Sequence, residues 1–126
     1  MKDRGAILPA GHAADAAYWL HQGDFITSTH YVTQLPEWVQ AFNASDIAED
    51  LVAGGWDLRD PRASYQAGME DNTPYEGKFK GGERPTFPYD LQALAAQNGG
   101  LDILKGTPMG NTLLVEFGLA AIDAEG

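Results

Sequence analysis

The sequence predicts an α+β domain, a small mixed or antiparallel sheet with three to four short helices packed beside it. Three observations carry this expectation. Asp24–Gln34 (DFITSTHYVTQ) is dense in β-branched and aromatic residues. Thr112–Phe117 (TLLVEF) is nearly continuously apolar, as a strand covered on both faces would be. Short helical periods flank both runs, and a thirty-residue stretch, Gly55–Arg84, keeps neither period and divides the chain.

In chain order, residues 1–8 read as a charged N-terminal arm. From Ala10 to Gln22 a helix is expected. Ala13, Ala16, Ala17 and Leu20 recur at i, i+3, i+4 and i+7, Pro9 suits the first turn, and Gly23 suits a C-terminal cap. Asp24–Gln34 follows as a strand with neither face cleanly apolar, the pattern of an edge or of a strand that meets a partner. Leu35-Pro36-Glu37 restarts a helix with Trp38, Val39 and Phe42 inward. A second helical piece carries Ile47, Leu51 and Val52 and stops at Gly54-Gly55. Asn43-Ala44-Ser45 has the form of a glycosylation acceptor, but nothing directs export, so the triplet is discounted.

Within Gly55–Arg84, the breakers Asp60-Pro61, Asn72-Thr73-Pro74 and Gly81-Gly82 come in quick succession. Yet Trp56, Tyr65, Tyr75 and Phe79 lie inside it, with Phe87 and Tyr89 just beyond. Aromatic residues at that density imply docking, either on the chain itself as an Ω-like loop or on another chain. Asp90 then caps a short helix with Leu91, Leu94 and Ala95 inward and Gly99-Gly100 as its stop. Leu101–Lys105 alternates weakly, as a strand would, and Thr107–Asn111 supplies a turn before Thr112–Phe117. Residues 118–126 extend that strand or leave as a C-terminal arm. The length suits one domain with a real core.

The net charge is −10, unevenly spread. Gly55–Arg84 holds five basic and six acidic residues, whereas the remainder holds three and twelve. So acidic a surface argues against binding nucleic acid through its phosphates. A merely soluble surface is its plain reading, and attraction to a basic partner the sharper one. There is no cysteine, hence no disulfide, thiolate nucleophile or cysteine metal site. The N-terminus lacks the continuous apolar stretch of a signal peptide, and no run is long enough to span a membrane. A soluble protein, cytoplasmic or within a viral particle and not evidently secreted, is the expectation.

No catalytic spacing stands out: GxGxxG, GxSxG and HExxH are absent, and GLDILKGT (residues 100–107) misses the phosphate-loop pattern. His12, Asp15, His21, Asp24 and His30 have spacings that metal ligands use, without any sign that they converge; solvated surface groups are the plainer account. Glu70-Asp71-Asn72 with Glu76 offers oxygen ligands but not the pattern of a calcium loop. No cofactor or metal is assigned. The candidate interaction residues are Trp56, Arg59, Arg62, Tyr65, Tyr75, Phe79, Lys80 and Arg84, types enriched at protein interfaces. The leading expectation is a non-enzymatic structural or accessory subunit that engages protein neighbours, copies of itself included, as in a virion. The rivals are an acidic inhibitor of a basic partner and a small enzyme with a His/carboxylate pocket built from His12, His21, His30 and nearby acids.

Overall fold

A computed structural model describes residues 1–65 and 72–126. The fold is α+β, with five helices and a two-stranded antiparallel sheet among the described residues. Helix α1 (Ile7–Ala10) continues a 3-10 turn over Arg4–Ala6. Strands β1 (Trp19–His21) and β2 (Asp24–Ile26) form a hairpin in which Leu20 faces Phe25. Its two turn residues, Gln22 and Gly23, have φ of 53° and 94°, the positive values a tight hairpin turn needs. Helices α2 (Glu37–Asn43), α3 (Ile47–Ala53) and α4 (Leu91–Gln97) follow, then a 3-10 stretch over Gly100–Gly106 and the long α5 (Met109–Glu125).

The core gathers one face of each element. Leu20, Phe25, Val39, Val52, Leu91, Ile103, Leu104 and Leu113 are all buried within it. Phe117 stands at the centre of an aromatic group: stacked on Phe25 with centroids 3.7 Å apart, and 5.1–5.5 Å from Trp38, Phe42 and Tyr18. The Asn43 side chain closes the open edge of β2, accepting from the Phe25 N–H at 2.8 Å and donating to the Phe25 carbonyl at 2.9 Å. It thereby does the work of a third strand at that position.

Helices α2, α3 and α4 lie where the sequence places them. Asp90 caps α4 by accepting from the Ala93 N–H at 3.0 Å. Four other expectations are corrected. The helix expected over Ala10–Gln22 ends at Gly11, with φ +58°, and its last residues form β1 instead. An alanine stripe buries little, whereas pairing Leu20 with Phe25 seals both side chains completely. The strand expected over Asp24–Gln34 stops at Ile26, where the Thr27 and Ser28 side chains take up backbone groups instead of a continued ladder. Thr27 Oγ1 donates to the Ala17 carbonyl at 2.7 Å, and Ser28 Oγ accepts from the His30 N–H at 3.2 Å. Leu101–Lys105 is 3-10 helical, burying Ile103 and Leu104 together. Thr112–Phe117 is helical rather than the central strand of a sheet: Leu113 and Phe117, four apart, face the core from α5. A short apolar run carries no periodicity that separates strand from buried helix.

The two ends are tied to the body. The Met1 ammonium donates to the Tyr18 carbonyl at 2.8 Å, the Leu20 N–H donates to the Met1 carbonyl at 3.0 Å, and Ala6 is buried. Residues 118–125 continue α5, whose end is held by a 2.8 Å bond from Trp38 Nε1 to Glu125 Oε1. Among the described residues no helix is long and apolar enough to cross a membrane.

Candidate functional site

The long segment is pinned at its base by reciprocal backbone bonds between Trp56 and Tyr89, 3.0 and 2.7 Å. Trp56 then stacks its edges against Phe79, Phe87 and Tyr89 at centroid distances of 5.2–5.4 Å. This aromatic knot is the docking that the sequence implies, made on the chain itself. Asn98, just past the end of α4, adds a clamp, donating to the Lys80 carbonyl at 2.6 Å while Lys80 holds a left-handed φ of 46°.

The candidate interaction residues are thus divided. Trp56 and Phe79 are half-buried anchors of the knot. Arg59 and Arg62 line an open cleft of about 550 Å³ with Asp57, Asp60, Phe87 and Pro88, and Arg62 Nη2 donates to the Phe87 carbonyl at 3.2 Å. The Tyr65 hydroxyl accepts from the Asp60 N–H at 3.3 Å, which folds the loop's first turn. Arg84 borders a shallow cleft against α4. Tyr75 is 93% exposed. Glu70 and Asp71, half of the possible calcium set, lie outside the described residues; Glu76 accepts from the Thr73 N–H at 2.7 Å in a local turn.

His12 and His30 do meet, ring edge to ring face with centroids 5.2 Å apart, in a groove of about 340 Å³ formed with Ile7, Leu8, Ser28 and Tyr31. The Tyr31 hydroxyl donates to the Gly11 carbonyl at 2.7 Å and holds the two walls together. Among the described residues no carboxylate lines this groove, and His21 sits on the hairpin instead. Among the described residues no group of three or more His, Asp or Glu is placed to hold a metal ion.

Asp102 ties the hairpin turn to the 3-10 stretch, accepting from the Gln22 N–H at 2.8 Å and from Lys105 Nζ at 2.9 Å. Burial works to raise its pKa, but the bonds from Lys105 and Gln22 and the nearby positive charges outweigh it and hold the carboxyl below its usual range. A lowered folded-state pKa contributes stability that is complete above the unfolded value, near pH 4, and lost as pH falls through the folded one. Asp102→Asn should therefore lower Tm by about 3 °C at pH 7. Thermal scans from pH 7 to pH 2 should show wild type and variant converging at the acid end. Equal spacing of the two curves at every pH would remove this assignment.

No protein-family model matches the chain. Curated proteins and solved structures do. The chain is 46% identical over 127 residues to a protein named calcium-transporting ATPase from Myroides odoratus, 42% over 127 to alkaline phosphatase PhoV from Synechococcus elongatus, and 44% over 126 to alkaline phosphatase PafA from Elizabethkingia meningoseptica. Each match covers 98–99% of this chain. The crystal structure of wild-type alkaline phosphatase PafA superposes with a TM-score of 0.87 at 43% identity, over 98% of this chain and 24% of that one. A PafA mutant superposes with a TM-score of 0.85. These matches overturn the expectation of a virion or assembly subunit, and that of an acidic inhibitor beside it. The chain is similar to part of a hydrolase, and it spans about 23% of the length of the curated relatives it matches.

Proposed function

We propose that this chain serves phosphate-ester hydrolysis as a scaffold portion of an alkaline-phosphatase-type enzyme, with the reacting groups supplied by the rest of such a protein. The observation that carries this reading is the superposition on PafA of 98% of the chain at 43% identity. Likeness of that extent and identity concerns the side-chain packing as well as the backbone path. Two of the three relatives are named as phosphatases, and the third as an ATPase. Within the enzyme, the hairpin, the helices and the knotted loop form a rigid support. The loop carries Arg59, Tyr65, Tyr75, Lys80 and Arg84 at its surface as contacts for whatever lies against it.

The test is a replacement. These 126 residues are put in place of the matching stretch of the Elizabethkingia PafA, and hydrolysis of p-nitrophenyl phosphate is measured beside the isolated chain. The chimera should keep at least a tenth of the parent kcat/KM, and the isolated chain should show none. A folded, inactive chimera contradicts the phosphatase reading. Turnover by the isolated chain contradicts the division of labour.

A further inference from the structure

Helix α5 is apolar on both sides, and the described residues cover only one of them. Leu113 and Phe117 face the core, whereas Val115, Leu119 and Ile122 are 60%, 51% and 67% exposed. At about 100° per residue, these three lie together on the flank opposite Leu113 and Phe117. Single exposed apolar side chains are ordinary, but three in a row at i, i+4 and i+7 on a helix already buried on its other side are a different matter. A helix apolar all round is one that packs on both faces.

Gly118 adds an independent sign. It sits in mid-helix beside this stripe, and a Cβ built there would meet nothing within 4 Å. Glycine weakens a helix interior relative to alanine, and nothing in the described chain needs its small size. It leaves a low point between Val115 and Ile122 where another element's backbone can come close.

What covers the face follows from the comparisons. In the solved PafA this same fold accounts for 24% of the chain. About three quarters of such a polypeptide lies outside this fold and is available to pack against it. Elsewhere the exposed apolar side chains, such as Leu8 and Tyr75, lie on short or looped segments, whereas Val115, Leu119 and Ile122 form one aliphatic stripe on a regular helix suited to a dry contact. We propose that the Val115–Leu119–Ile122 face of α5, with Gly118 as its low point, is the surface that docks on the main body of an alkaline-phosphatase-type protein, in the same polypeptide or another. The surface of that body which meets it is apolar. The inference rests on the phosphatase reading for its occupant.

Two variants test it, in the isolated chain and in the PafA chimera. The triple change Val115→Asn, Leu119→Lys and Ile122→Lys should leave the isolated chain's Tm within about 2 °C of wild type, since exposed positions tolerate substitution. In the chimera it should lower Tm by about 10 °C or more and raise the rate of limited proteolysis at least tenfold. Gly118→Ala should raise Tm of the isolated chain by about 3 °C and lower that of the chimera. A chimera that keeps its Tm with the triple change overturns the proposal. So does an isolated chain that sizes as a dimer and becomes monomeric with the triple change, because a second copy would then be the occupant. These readouts are independent of hydrolysis: an inactive chimera still destabilised by the triple change supports this surface while counting against the phosphatase reading.

Discussion

Phe117→Ala should cost the isolated chain about 3–5 kcal/mol, a large share of the stability a domain of this size has. The ring, carried on α5, touches the hairpin and α2 at once. It stacks at 14° on Phe25 of β2 and meets Trp38 and Phe42 of α2 and Tyr18 just before β1. Truncation removes the buried ring area and leaves a hole walled by four other rings, which cannot all turn inward without losing their own contacts. Urea denaturation read by far-UV circular dichroism gives the free-energy change, and near-UV dichroism reports whether the aromatic group survives. Phe117→Leu, which keeps most of the volume, should cost markedly less. Leu119→Ala, two residues along on the exposed face, should cost under about 0.5 kcal/mol. If Phe117→Ala and Leu119→Ala cost the same, α5 does not sit on the core as described.

The apolarity of Thr112–Phe117 explains what the sequence could and could not reveal. Its message of burial holds for the side that carries Leu113 and Phe117; the choice of a strand to carry it is wrong, and the described residues leave the other side exposed. Leu113 and Phe117 satisfy helical spacing as well as a strand's, and Gly118 appears to the eye as a stop rather than as a mid-helix residue. The exposed face of Val115, Leu119 and Ile122 becomes visible only once the helix is extended to Glu125. Conversely, α2, α3 and α4 were legible because each pairs an apolar stripe with a local signal: Pro36-Glu37, Gly54-Gly55 and Asp90. The aromatic density of the central segment likewise implied docking, and Trp56 with Tyr89 supplies it. What no local pattern could supply was the hairpin. Trp19–His21 and Asp24–Ile26 are three residues each, too short for any periodicity, and they form because Leu20 and Phe25 have a shared core to enter. The likeness to alkaline phosphatases had no motif to announce it, since the match extends over 98% of the chain.

The same substitution at two glycines of α5 should have opposite effects, and Gly110→Ala should be the damaging one. Gly110 is buried in the helix's first turn with no unusual backbone angle, so only space forbids a side chain there. An added Cβ would overlap the Leu104 carbonyl oxygen and come within 3.2 Å of Lys2 Cε. The lysine tip could move aside, but the carbonyl cannot. It already accepts from both the Thr107 N–H and the Thr107 hydroxyl, each at 3.0 Å, and Thr107 is the buried polar residue at this corner. Relieving the overlap means pushing α5 away from the 3-10 stretch, which separates Leu113 from Ile103 and Leu104, or breaking the Thr107 bonds in a dry site. Either route should cost about 2–4 kcal/mol, and Tm should fall by about 10 °C. Gly118→Ala removes a helix-weakening residue where nothing is in the way, and should gain about 0.5–1 kcal/mol in the isolated chain. Helix propensity alone predicts a gain at both positions. A gain at Gly110 would therefore mean that the contact between α5 and the Leu104 carbonyl is looser than described, and with it the orientation that turns Val115, Leu119 and Ile122 outward.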